Sequence, residues 1–270
     1  MPETLPPLPA QVLPAFLAQL QALFPTLLQG LYLTGSIPLG DYWEGKSDID
    51  FLVLLHEPLP TAQLAQVAAL HRALEKKYHS PKLSGYYLTL IGLASPQPHF
   101  PSFFAGRLLP HRPFELPRFT LFEWQTTALP LFGPPARGLV PALPLSQVLA
   151  ELHQNLNDYW QRWIKAHTFP RPGYWQLLLF ARLSEWGVLG VARQLYTLDT
   201  QRIASKYAAG DYYLNQVPPA YHAIVQLALA TRRVSQLRLQ PSAARARQTL
   251  ACMAYLRTAF NQRYAAGNSG

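Results

Sequence analysis

Hydrophobic residues recur at three-to-four-residue intervals through segment 10–29, where Leu13, Phe16, Leu17, Leu20, Leu23 and Phe24 share one side. That spacing predicts an amphipathic helix packed on a sheet. Residues 31–33 then form a short apolar run before the pair Gly35-Ser36, which predicts a strand ending in a turn. The run 50–55, DFLVLL, is apolar without alternation and reads as a strand buried on both faces. Segment 61–78 has the helical period, with Leu64, Val67, Ala68 and His71 on one face and Thr61 placed to cap the first turn. Residues 86–93, YYLTLIGL, supply the next strand. Strand, turn, strand, helix, strand is the order of a small mixed α/β sheet.

From 95 to 145 the chain is dense in proline and aromatic residues, which predicts a connector with little regular structure apart from a helix near 120–128. From 146 onward the period is helical again, with segments 146–166, 174–197, 202–214, 219–236 and 241–265 separated by punctuation such as FPRPGY and QVPPAY. The expected fold class is therefore α+β: a mixed-sheet domain with flanking helices over 1–145, including the connector 95–145, then a five-helix bundle over 146–265. The tail 266–270 is expected to be disordered.

Composition narrows the functional classes. With 49 % hydrophobic residues the chain has material for real cores. No apolar run reaches the ~18 residues of a spanning helix, because 174–198 is broken by Arg182, Glu185 and Arg193. The first basic residue is Lys46, so the positive start of a signal peptide is missing. The single cysteine, Cys252, excludes an internal disulfide and a cysteine zinc site, and its apolar neighbours predict a packing role. No histidine pair has metal-ligand spacing. A cytoplasmic protein without a membrane segment is expected.

The net charge of +9 is uneven: residues 1–150 balance nine bases against nine acids, whereas 151–270 carry fourteen against five. Beyond Asp211 there is no acid, while Arg232, Arg233, Arg238, Arg245, Arg247, Arg257 and Arg263 follow. Such a field attracts polyanions, so nucleic acid is one partner class; a solvated arginine-rich helical face is the alternative. The tryptophans Trp160, Trp163, Trp175 and Trp186 fall at helical spacings and read as core, while Trp43 lies in the loop before Asp48, where it either stacks on a base or clamps the loop.

The chemistry concentrates in residues 33–55, LTGSIPLGDYWEGKSDIDFLVLL. A Gly-Ser pair directly after a strand presents backbone N–H groups and a hydroxyl to a triphosphate, since glycine permits the close approach a side chain would block. Asp48 and Asp50 flank one residue at a strand start, where period-two alternation sends both carboxylates to the same side. Paired carboxylates on a rigid edge suit a hard, oxygen-seeking Mg²⁺ whose shell is completed by triphosphate oxygens.

Strand, Gly-Ser, eleven residues, Asp-x-Asp and apolar strand together resemble the signature of the polymerase-β-like nucleotidyltransferase superfamily. LFGPPA at 131–136, NLNDYW at 155–160 and VLGVARQLYTLDTQRIASKYAAGDYYL at 188–214 look like the helical half of the streptomycin/spectinomycin adenylyltransferase family of aminoglycoside nucleotidyltransferases. The resemblance implies a nucleotidyltransferase sheet domain and Mg²⁺-dependent transfer of AMP from ATP to a hydroxyl of a small acceptor. Asp48 and Asp50 would be catalytic and metal-binding, Gly35 and Ser36 would seat phosphate, and Lys206, matching the family's S-K-x-x-A stretch, would contact the nucleotide phosphates. Arg193, Tyr196 and Thr197 also match the pattern.

Two departures stand out. Family members usually carry a third carboxylate on the neighbouring strand, yet no Asp or Glu occurs between Lys76 and Phe114, and the sequence register places Tyr87 at that position. Tyrosine, with a pKa of ~10, is a poor base at pH 7. Glu115 or Glu123 reaching in, activation by metal alone, and a module that binds nucleotide without turnover are the open outcomes. The second departure is electrostatic: an aminoglycoside is a polycation, and the helical half is basic.

Overall fold

The computed structural model describes residues 5–79, 82–94, 100–104, 106–112, 116–234 and 239–267. The chain divides into two compact units, Met1–Pro144 and Leu145–Gly270.

The first unit is built on strands β1 (Leu28–Leu33), β2 (Ile49–Leu55), β3 (Leu83–Thr89), β4 (Phe100–Phe104), β5 (Arg107–Arg112) and β6 (Leu129–Phe132), which form one sheet in the order β5-β4-β3-β2-β1-β6. β2 and β3 are parallel, and the other neighbours are antiparallel. Alternation along β2 explains its uninterrupted apolar run. Phe51, Val53 and Leu55 enter a core with helices α1 (Pro7–Leu23) and α2 (Thr61–Lys77), through Val12, Leu13, Phe16, Leu20, Val67, Leu70 and Leu74. Leu52 and Leu54 enter a second core on the opposite face, with Tyr32, Leu88 and Trp124 of helix α4 (Arg118–Thr127). Each such side chain withdrawn from water contributes roughly 1.5–3 kcal/mol, so both faces of β2 anchor it.

Several sequence expectations change here. Thr61 is the first helical residue of α2 and caps nothing, because Pro60 holds the N-cap position without a side-chain bond. The strand expected at 86–93 begins earlier and stops at Thr89, and Leu90–Ala94 is a short helix, α3. Most notably, the described residues of the proline-rich stretch include three strands. Pro130 lies on edge strand β6 and Pro110 on edge strand β5, while Pro101 falls where the β4–β5 register shifts between Phe100 and Ser102. Edges and bulges are where a sheet tolerates a residue with no N–H to donate.

The second unit is helical throughout its described secondary structure. Helix α5 (Leu145–Asn155), a π turn (Leu156–Trp160) and helix α6 (Gln161–His167) run on without a break over the segment expected to be one helix. The segment expected as a single helix over 174–197 is instead α7 (Pro172–Leu179) and α8 (Ala181–Thr200), divided at Phe180, whose φ of −115° and ψ of 106° are extended. No glycine or proline marks this break. It is held by a distant residue: the Arg245 guanidinium donates to the Leu178 carbonyl at 2.7 Å, and the Ser242 N–H donates to the same oxygen at 3.1 Å. Helices α9 (Lys206–Leu214), α10 (His222–Arg233) and α11 (Ala243–Gly267) complete the unit around α8, with Val188, Leu189, Val191, Ala192 and Leu195 at the centre of its core. Cys252 is fully buried there, its thiol pushed up to about 12 by burial, as a packing residue should be. Helix α11 continues through Gly267, and 268–270 lie outside the described residues.

Candidate active site

β1 ends at Leu33 and the chain turns at once. The Thr34 N–H donates to the Asp50 carbonyl at 3.0 Å, which ties the turn to the start of β2. Gly35 has φ of 68°, in the left-handed region, and a Cβ added there would run into the Asp50 carboxylate. Conformation and close approach thus demand the same residue. Ser36 follows, and its hydroxyl oxygen is buried without a hydrogen-bond partner. An unsatisfied buried hydroxyl costs about 1–3 kcal/mol, so a donor stands ready beside the turn for an oxygen-rich ligand.

The loop to Asp48 is internally braced. The Asp41 N–H donates to the Ser36 carbonyl at 2.8 Å, and the Trp43 N–H donates to Ser47 Oγ at 3.0 Å. The indole N–H of Trp43 donates to Asp41 Oδ1 at 2.7 Å. Trp43 is therefore a clamp of the loop. Asp48 emerges exposed and Asp50 half-buried. Asp50 is on the same side of β2 as Leu52 and Leu54, the face turned away from α1 and α2. The field of Asp48 reaches the Tyr42 phenol, which burial first and then the charges of Glu44 and Asp48 push up to about 12.

The parallel register of β2 and β3 pairs Asp50 with Ser84 and Val53 with Tyr87. Tyr87 therefore does not stand where a third carboxylate would, and the sequence register was displaced. It lies on the opposite face, in the core with Phe51, and shares a 2.8 Å hydrogen bond with His71 Nε2. Burial raises the Tyr87 phenol well above its ordinary value and lowers His71 to about 3. The imidazole also stacks on Phe103 at 3.6 Å between centroids. On the Asp50 face β3 offers Ser84 and Tyr86, neither of them an acid.

Beside the strand starts, Asp48, Glu75, Lys82, Leu83, Ser84, Phe104 and Gly106 line a cleft of about 560 Å³. Glu75, near the end of α2, reaches the tip of the β4–β5 hairpin: a Cβ on Gly106 would lie 3.1 Å from its Oε1. Lys82 Nζ donates to the Gly45 carbonyl at 2.9 Å. Glu75 follows His71 by four residues, hence lies one helical turn further along the face of α2 that packs on the sheet. Glu123 is buried in α4, and Glu115 lies outside the described residues. Among the described residues no three His, Cys, Asp or Glu side chains gather as a metal cluster. Asp48 and Asp50 are oxygen donors of the kind a divalent cation takes.

In the second unit, Lys206 opens α9, whose first turn is capped by Ser205 Oγ accepting from the Ala208 N–H at 3.0 Å. Thr197 is fully buried and its hydroxyl points back to the Arg193 carbonyl, which gives it a packing role. Many of the arginines are engaged within the fold. Arg232 pairs with Glu185 at 3.7 Å, Arg263 with Asp199 at 3.3 Å, Arg257 donates to Asn157 Oδ1 at 3.0 Å, and Arg233 lies 3.8 Å over the Tyr207 ring. Arg238 lies outside the described residues. Such engagement gives these arginines roles within the fold and a polynucleotide surface no separate support. No helix among the described residues is long and apolar enough to cross a membrane.

The nucleotidyltransferase domain family matches residues 13–96, and the family described as aminoglycoside adenylyltransferase, C-terminal domain, matches residues 183–256. No curated protein matches the sequence. Among solved structures, spectinomycin adenyltransferase AAD(9) from Enterococcus faecialis, with ATP and spectinomycin, shares the fold with a TM-score of 0.65 at 16 % identity, over 93 % of this chain and 99 % of that one. The chain thus carries, in order, a stretch similar to nucleotidyltransferase domains and a stretch similar to the C-terminal domain of aminoglycoside adenylyltransferases, and it shares its fold with a spectinomycin adenyltransferase.

Proposed function

We propose that the protein transfers a nucleoside monophosphate, AMP from ATP, to a hydroxyl of a small-molecule acceptor and releases pyrophosphate. The observation that carries this reading is the seating of the Asp50 carboxylate against Gly35, next to a buried Ser36 hydroxyl with no partner. Carboxylate and donor there meet at one turn, as a metal-bound triphosphate requires. Asp48 and Asp50 would hold Mg²⁺, which when bound neutralises charge on the phosphates and fixes their geometry. The Gly35 backbone and Ser36 hydroxyl would seat the β and γ phosphates. In-line phosphoryl transfer asks for positioning and charge more than covalent help, which suits a braced turn and a doubly buried strand. The spectinomycin-bound neighbour shows one acceptor such a fold takes. The basic second half here, fourteen bases against five acids, disfavours a polycation by comparison.

Pyrophosphate release from labelled ATP with Mg²⁺ tests the reading. Release that depends on an added hydroxyl acceptor is expected, and none across acceptors and divalent metals would contradict it. One observation favours a second reading, a module that binds nucleotide without turnover: Ser84, not an acid, is the β3 partner of Asp50. Tight Mg²⁺-dependent ATP binding with no release would identify it.

A further inference from the structure

Helix α7 is apolar on two flanks, and only one of them is covered. Tyr174 and Leu177 enter a small core with Ala246 of α11, and Arg245 holds the end of the helix at the Leu178 carbonyl. On the outer flank Trp175 and Leu179, one helical turn apart, are 51 % and 48 % exposed. Phe169, just before the helix, is 62 % exposed, with its ring centroid 6.1 Å from that of Trp175. Phe180, at the break before α8, is 47 % exposed. Among the described residues nine large hydrophobic side chains are exposed, and these four fall within one short stretch. Single exposed apolar residues are ordinary, whereas a contiguous ridge marks an interaction surface.

Charge selects the occupant. Arg171 and Arg182 flank the ridge and are exposed, the second with its guanidinium 5.4 Å from the centre of the Phe180 ring. Residues 159–184 contain four bases and no acid. The next acid, Glu185, is buried and paired with Arg232, and α11, packed behind α7, has no acid along its length. A second copy of the chain would set base against base across a twofold contact. A nucleic acid would engage the arginines but leave Leu179 and Phe169 facing phosphate and sugar. An anionic lipid surface satisfies both features: tryptophan and phenylalanine rest at the headgroup level, leucine reaches the acyl boundary, and arginine keeps its charged head among lipid phosphates.

We propose that this ridge docks the protein reversibly on anionic lipid, with Phe169, Trp175 and Leu179 entering the interface and Arg171 and Arg182 meeting the phosphates. The docking needs no spanning helix and is independent of the transferase reading. The test uses the full chain with vesicles of two compositions, phosphatidylcholine alone and phosphatidylcholine with about 30 % phosphatidylglycerol. Co-sedimentation with the anionic vesicles is expected, at least about tenfold stronger than with the zwitterionic ones and weakened as salt rises from about 50 to about 500 mM. Phe169→Ser/Trp175→Ser/Leu179→Ser should lower it by about tenfold or more. Arg171→Gln/Arg182→Gln should lower it by about as much, and carries the test should the first variant fold poorly. Both variants change exposed side chains, so the melting temperature and Mg²⁺–ATP affinity are expected to stay at wild-type values. Vesicle binding that ignores lipid charge, or that survives both variants, would overturn the proposal. So would an absence of vesicle binding, whether the ridge then proves to hold a second copy, seen by light scattering as a dimer that the first variant dissociates, or a single-stranded oligonucleotide whose binding that variant abolishes.

Discussion

The two faces of the β2–β3 pair use the same backbone alternation to opposite ends. On one face Phe51, Tyr87, His71 and Phe103 close into a dry aromatic core, where burial drives the imidazole to about 3 and the phenol well above its usual range. On the other, at the same strand starts, Asp50 rests against the Gly35 turn beside Ser84, and Asp48 opens onto a cleft. Both faces carry ionisable groups, and residue type does not tell them apart. Environment does, since a histidine and tyrosine bonded to each other and enclosed by rings are held neutral, while Asp48, just before β2, stays exposed. A titratable pair is therefore a functional candidate only where the fold leaves it a partner from outside.

Substitutions that move one face without the other sharpen this contrast. The largest effect belongs to Asp50→Asn, which preserves shape but removes a charge from the phosphate turn: pyrophosphate release should fall by roughly 10³-fold while the melting temperature stays near wild type. A large loss of stability with little loss of release would reverse the assignment of that face. Gly35→Ala is expected to damage both fold and site, by about 1–3 kcal/mol in denaturant unfolding, because it forces a left-handed residue and drives a methyl group into the Asp50 carboxylate.

On the buried face, Tyr87→Phe leaves His71 Nε2 without its partner and should cost about 1–3 kcal/mol with no change in nucleotide affinity. His71 also sets a pH signature. Its folded pKa of about 3 lies below the ordinary 6.5, so the unfolded chain binds the extra proton and stability is lost as pH falls from about 6.5 toward 3. The slope from this group is at most about 1.4 kcal/mol per pH unit. Paired His71→Phe and Tyr87→Phe changes should flatten that part of the stability profile, and an identical profile in the double variant would show that other groups govern it. The smallest effect is expected from Ser36→Ala, about tenfold in Mg²⁺–ATP affinity, since one hydroxyl contact to a phosphate is lost.

Local order supplied most of what the sequence could tell. Gly35 follows a strand, and the alternation of β2 places Asp50 on the side of Leu52 and Leu54. The helical half was likewise legible in its periodicity. What escaped was set by partners distant in sequence. The break at Phe180 depends on Arg245 reaching the Leu178 carbonyl, and nothing in the local sequence YWQLLLFARL announces it. Pro101, Pro110 and Pro130 argued against strands, yet each lies where a strand needs no donor, at an edge or a register shift. Tyr87 lies on the face opposite to Asp50, because a one-residue shift in register exchanges the two sides of a strand.

The central claim is that the carboxylates beside the Gly35 turn hold a metal-bound triphosphate. Calorimetric titration of ATP, with and without Mg²⁺, into the wild type and the Asp48→Ala/Asp50→Ala double variant tests it most directly. Mg²⁺-dependent binding by the wild type, weakened by about 10²-fold or more in the double variant, is predicted. Equal affinity in the two proteins, or binding indifferent to Mg²⁺, would contradict it.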